Sequence, residues 1–287
     1  MENFDMKGIM DKLSNERKLF HSEADFQLAL AWIIKENYPD YEIFLEWRDK
    51  IGNKYRYFDI VLEKDEKIIP IELKYKTKKL EFHSFNLKTQ SANDLACYDY
   101  LKDIQRVESL MKSPKFEKGY TIFLTNDLGY LKEPNPNAGY KEFSIHDGRK
   151  INEECSLNWG ESSGKGTRKG REDPITLKFD YHFKWKDYSN LNSQLRNDEF
   201  KYLLCEINGI RREIFTKERF MLAPSGVFVR DMKHLKSYGT IDEIIDLMNS
   251  VNESDNRAVE IIKKELEKQD DKNVKRVLME ILDSIKH

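Results

Sequence analysis

The sequence predicts an α/β fold: a mixed central sheet flanked by helices, with a C-terminal helical extension. Three observations carry this. A strongly apolar helix pattern begins at Ser22. Three strand-like segments follow over 41–76. A second helical pattern over 88–112 then leads into an apolar strand at 119–125. Helix, three strands, helix, strand is an order that lets helices cover a sheet whose strands run in both directions.

The first helix has a start signal. Ser22 followed by Asp25 resembles a capping box, and Phe26, Leu28, Leu30, Ala31, Trp32, Ile33 and Ile34 supply more apolar surface than one exposed face needs. Tyr38-Pro39-Asp40 ends it. Residues 41–48, 55–63 and 68–76 are rich in β-formers and are separated by turn signals at Gly52-Asn53 and Asp65-Glu66-Lys67. In the third strand Ile69, Ile71, Leu73 and Tyr75 alternate with Pro70, Glu72, Lys74 and Lys76. Period two therefore puts Glu72 and Lys74 on one face, opposite the apolar one. In the second helix Leu95, Tyr98, Leu101, Ile104 and Leu110 share a side, and the run 119–125 is apolar enough for a buried strand.

Beyond Pro134-Asn135-Pro136-Asn137 the pattern loosens. The Gly-, Ser- and Lys/Arg-rich stretch 159–172 reads as a mobile basic loop. Strand character returns at 175–188, 200–207 and 226–230, and helical spacing from Thr240 onward. The expected organisation is a core over 1–135, a strand-rich continuation of the same domain over 136–239, and C-terminal helices over 240–287.

Charge and composition exclude several classes. Lys and Arg number 49 against 51 Asp and Glu, a net charge of -2, so a general basic coat for nucleic acid is absent and any such contact needs local patches. Cys97, Cys155 and Cys205 are too few and too scattered for a disulfide framework. No apolar run reaches membrane-spanning length and the N-terminus lacks a secretory pattern, so a cytoplasmic protein is expected. The stretch GESSGKGT mimics a phosphate-binding loop but has the wrong glycine spacing around Lys165, and the six histidines show no zinc-ligand spacing.

The chemistry concentrates in the first half. Asp59 sits between Phe58 and Ile60, and an acid in so apolar a strand needs a partner or a cation. Glu72-Leu73-Lys74 lies on the next strand, and a turn-connected pair can place Asp59 beside Glu72. Two carboxylates form an oxygen site for a hard divalent ion, and a lysine beside it can offset charge on a phosphodiester. Glu23, in the first turn of the first helix, can reach across to the same place. The plain alternatives are a solvated Glu/Lys face and a glutamate that merely favours the helix dipole.

The segments FHSEADFQLALAWII, RYFDIVLE and IIPIELKYK, in that order, resemble the PD-(D/E)xK nuclease superfamily, whose fold is restriction-endonuclease-like. The resemblance spans about residues 20–127. It departs from the motif at Phe58, where the name has proline, and in the spacing of Gln90 and Tyr98, eight apart rather than four. It implies a magnesium-dependent nuclease, with manganese able to substitute, in which Glu23, Asp59 and Glu72 hold the metal and Lys74 completes the catalytic set. It further implies hydrolysis of phosphodiester bonds, in DNA first, a role in genome defence or restriction, and a homodimer for double-strand cutting. Nucleic-acid contacts are expected from Lys76, Lys78 and Lys79, from Gln90, and from Lys165, Arg168, Lys169 and Arg171, with Asp94 a further candidate near the site. The competing expectation is an inert nuclease-fold protein that binds nucleic acid or a protein partner.

Overall fold

In the computed structural model, residues 4–208 are described apart from 52, 53, 112, 114 and 117. They fall within the first of two units, Met1–Arg212. The segment 226–230 and the C-terminal helices expected from 240 lie outside the described residues.

Helix α1 (Met6–Glu16) precedes α2 (Glu23–Asn37). The start of α2 is set by the residues that signal it: Ser22 Oγ accepts from the Asp25 amide at 3.1 Å. Asp25 accepts from the His21 amide at 2.8 Å and a two-pronged contact from Arg17 at 2.8 and 3.0 Å. Three antiparallel strands follow: β1 (Glu42–Ile51), β2 (Lys54–Lys64) and β3 (Lys67–Lys76). Asp65 and Glu66, both at positive φ (50° and 63°), form the two-residue turn between β2 and β3. A small hairpin, β4 (Leu80–Phe82) and β5 (Phe85–Leu87), comes next. Helix α3 (Asn93–Leu110) then crosses over to β6 (Lys118–Thr125), which runs parallel to β3. The sheet is completed by β7 (Trp185–Asn190) and β8 (Glu199–Asn208), giving the order β1-β2-β3-β6-β8-β7. The α/β class and the mixed sheet follow the sequence pattern.

One face of the sheet packs on α1 and α2, through Ile60, Leu62, Ile69, Ile71, Leu73, Tyr75, Ile122 and Leu124. The other packs on α3, through Phe58, Val61, Phe123, Leu203 and Cys205. Covering both faces changes the expectation for β3: Pro70 and Glu72 are buried too, so there is no solvated side opposite the apolar one. The α3 crossover leaves little room at β6. A Cβ on Gly119 would meet Val107 Cγ1 at 2.4 Å and the Pro70 carbonyl oxygen at 3.1 Å. Gly119→Ala is therefore expected to destabilise the unit by about 1–3 kcal/mol, the usual range for overpacking, read as a lower urea midpoint at unchanged slope.

Three expectations are corrected. The helix expected from residue 88 begins at Asn93, because β4 and β5 occupy 80–87 and Gln90 closes the hairpin's base: its amide donates to the Thr77 carbonyl at 2.8 Å and its side chain accepts from the Thr77 amide at 3.2 Å. The 159–172 stretch is exposed over most of its length but anchored at both ends. Trp159 stacks on Tyr98 at 5.5 Å between ring centres and donates to the Arg171 carbonyl at 2.7 Å. The region 175–188 is three short strand pieces, pinned to α3 where the buried Glu108 accepts from the Lys178 amide at 2.9 Å and the Tyr181 hydroxyl at 2.7 Å.

Candidate active site

The site begins where the sheet comes apart. The β2–β3 ladder pairs Lys64 with Lys67 and runs to Ile60 opposite Ile71, where it stops; the next pair in register would be Asp59 and Glu72. Beyond that point β2 follows β1, while β3 follows β6. Successive backbone N–H groups of a strand point to opposite edges. The parting strands thus leave Leu73 and Tyr75 facing the gap with no strand beside them. Carboxylates take the vacant places: Asp59 Oδ2 accepts from the Leu73 amide at 2.6 Å, and Glu23 Oε2 accepts from the Tyr75 amide at 2.7 Å. Asp59 and Glu23, one from β2 and one from α2, become neighbours because each takes a place that a strand would otherwise fill.

A local distortion turns Asp59 into the gap. Phe58 packs with the α3-side cluster, whereas Ile60 packs on the α1/α2 side; strict alternation would put both on one face. Opposite this break on β1, Glu46 adopts φ 50°, and the Glu46–Asp59 position is missing from the β1–β2 pairing. Such a non-glycine conformation costs about 1–3 kcal/mol and needs support from its surroundings. Gln27, one turn after Glu23 on α2, supplies it by donating to the Asp59 carbonyl at 2.5 Å and to Glu46 Oε1 at 3.0 Å.

On the α3 side of β3 lies a closed ion network. Arg106 Nη2 contacts Glu72 Oε1 at 2.7 Å and Asp103 Oδ1 at 2.6 Å. Lys74 Nζ lies 2.7 Å from Asp103 Oδ2 and donates to the Leu73 carbonyl at 3.2 Å. Glu72 is 2% exposed and Asp103 4%, so these charges interact with little water between them.

Burial raises the Asp59 carboxyl to about 6; the Leu73 N–H and the Lys74 ammonium pull it back, while Glu23 and Asp103 push it further up. Burial and the facing Asp103 also hold Glu72 well above the usual carboxylate range, against the opposing pull of Arg106. Lys74 is pushed the other way from what burial alone would do: Asp103, Glu23 and Asp59 outweigh desolvation and keep the ammonium charged. In all, four carboxylates share the site with two cations. When every group is ionised, two negative charges are left over, which one divalent cation would neutralise.

The donor chemistry fits such an ion. Asp59, Glu72 and the Leu73 carbonyl are hard oxygen donors at the mouth of the split. Among the described residues, no three His, Cys, Asp or Glu side chains form a ready-made metal cage. Magnesium does not need one, since it commonly takes one or two carboxylates and keeps water or substrate oxygens for the rest.

The structure thus gathers Glu23, Asp59, Glu72 and Lys74. The expected phosphate-binding residues fare unevenly. Lys78 pairs with Asp127 at 3.2 Å and Lys79 with Glu81 at 3.0 Å, just past the end of β3, where Lys76 is half-buried. Gln90 closes the hairpin base, and Asp94, in the first turn of α3, accepts from the Leu95 amide at 2.9 Å. Arg171 is engaged by Asp99 at 2.6 Å, and Lys165, Arg168 and Lys169 lie in or next to a short helical turn, Lys165–Arg168.

Gln27, Glu46, Asp103 and Arg106 escaped the sequence reading. Asp103 did carry a signal: it falls between Tyr100 and Val107 on the buried side of α3, where a lone acid demands a partner. Comparison with protein-family models, with curated proteins and with solved structures finds no match to this chain. No helix among the described residues is long and apolar enough to cross a membrane.

Proposed function

We propose that this chain is a divalent-metal-dependent nuclease with a restriction-endonuclease-like core, hydrolysing phosphodiester bonds with DNA as its substrate class. The observation that carries the reading is the split between β2 and β3, where Asp59 and Glu23 replace strand partners of β3 within a few residues of Glu72 and Lys74. Asp59, Glu72, the Leu73 carbonyl and Glu23 would hold magnesium, or manganese in its place. Such an ion, when bound, supplies Lewis-acid stabilisation of phosphate charge and an acidified water. The chain's own part is placement. The backbone N–H of Leu73 fixes the Asp59 carboxylate, and that of Tyr75 fixes Glu23. Lys74, anchored by Asp103, stays protonated beside the scissile phosphate, where its ammonium orients the attacking water and offsets developing charge.

The second reading, an inert fold that binds nucleic acid or a protein, is favoured by one feature: Glu72 and Lys74 are both engaged by α3. Supercoiled plasmid, linear duplex and single strands, incubated with the pure chain and magnesium, manganese or chelator, separate the two. Cleavage that needs the metal supports the nuclease. Binding without cleavage of any substrate, under every metal condition, sinks it.

A further inference from the structure

Arg106 holds Glu72 in an unusual way. A guanidinium normally meets carboxylates with two parallel N–H groups, and that fork gives it strength and direction. Here a single nitrogen, Nη2, is shared between Glu72 Oε1 and Asp103 Oδ1, at 2.7 and 2.6 Å. The Arg106 Nε is buried and has no hydrogen-bond partner among the described residues. An unsatisfied buried donor is a standing penalty, so the grip on Glu72 is single-point and incompletely compensated. It nevertheless occupies Glu72 Oε1, one of the two oxygens that Glu72 could offer a cation.

We propose that Arg106 is a resident counter-cation for Glu72 that a divalent ion must displace, so that α3 sets the metal affinity of the site. This rests on the metal-dependent reading above. Asp103 makes the exchange possible. It lies three residues before Arg106 on the same helix and contacts both Arg106 and Lys74. When Glu72 turns to the metal, the guanidinium keeps one carboxylate and the orphaned Nε becomes free to find an acceptor. Without Arg106, Lys74 alone would offset the repulsion of Glu72 by Asp59 and Asp103; with it, the metal-free site keeps its shape.

The consequence is competitive and has a sign that a merely structural role would not produce. Arg106→Gln removes the rival cation, and manganese binding, followed by isothermal titration of the full chain without nucleic acid, is expected to tighten by at least about tenfold, given the size of charge interactions at this range. Arg106→Lys keeps a cation and is expected to stay within about threefold of the parent. Tighter binding by Arg106→Gln, including the case where the parent binds no manganese and the variant does, supports the latch. Unchanged or weaker binding by Arg106→Gln, with the parent binding, overturns the latch and leaves the nuclease reading standing. Manganese binding by neither chain overturns both. Should Arg106→Gln fail to fold, the unaltered chain decides. The Arg106 Nε–H nuclear magnetic resonance signal, assigned through Arg106→Lys, is expected to shift as magnesium saturates the site, and a signal that stays put while magnesium binds overturns the latch.

Discussion

Asp59→Asn is expected to yield a chain that folds more stably than its parent and loses nearly all cleavage. Asparagine is nearly isosteric and can still accept from the Leu73 amide, so the geometry at the strand split survives. What goes is the charge. The Asp59 carboxyl has an ordinary value of 3.8 and is raised to about 6 by burial. A folded state that raises an acid's pKa prefers the protonated form. The penalty is therefore absent below about pH 3.8, grows as pH rises through the interval, and is complete above about 6. At pH 8 it amounts to about 2–3 kcal/mol. Removing it should raise Tm by about 4–12 °C in chelator, and the gain should vanish at pH 4. Magnesium should raise the parent's Tm by binding only the folded state, and should do so far less in Asp59→Asn. Cleavage should fall by about 10³-fold, near 4 kcal/mol of transition-state stabilisation. A variant less stable than the parent at pH 8 would refute the electrostatic account of Asp59; one that still cleaves would refute its catalytic role.

Lys74→Ala is expected to fail in both respects. Its ammonium is the partner of Asp103 Oδ2, and Asp103 is almost wholly buried. Removing one member of a buried pair typically costs about 3–5 kcal/mol, because the other charge is stranded. Arg106 remains on Asp103 Oδ1, which places the loss near the lower figure. For a unit of this size that lowers Tm by about 6–12 °C. Cleavage should drop by about 10²–10³-fold, in kcat rather than KM, as for removal of a preorganised donor aimed at developing charge. Lys74→Arg separates the two effects: it should recover most of the stability and little of the rate, since the planar guanidinium cannot take the position of a compact ammonium. Full recovery of cleavage in Lys74→Arg would show that only charge is needed there.

Much of the core was legible because its signals are local. The Ser22–Asp25 cap, the Asp65-Glu66 turn and the apolar run at 119–125 each mark an element through its own residues, and all three appear in place. The four acidic and basic residues gathered at the split were legible because an acid inside an apolar strand is expensive unless something answers it. What answers it was not legible. Gln27, Asp103 and Arg106 reach the site from helices whose apolar spacing announces packing and no site, and only the packing of α2 and α3 against opposite faces of the sheet brings them there. Glu46 depends on a backbone twist that no spacing announces. The anchoring of the basic stretch at 159–172 was hidden for a related reason: its composition is that of a loop, but Trp159 and Arg171 dock on Tyr98 and Asp99, partners sixty or more positions away.

The parting of β2 from β3 also orders the assembly of the molecule. A two-residue turn with both residues at positive φ carries its own handedness, so this hairpin can zip from Asp65-Glu66 without help from the rest of the chain. Zipping halts at Ile60 and Ile71, at the threshold of the acidic groups. The bond from the Tyr75 amide to Glu23 closes a loop of 52 positions, an entropic expense met only once α2 has docked. Chemistry is thus the last thing this hairpin acquires: a scaffold forms from neighbours in the chain, and the groups that would act on a substrate arrive with the slow, long-range contacts.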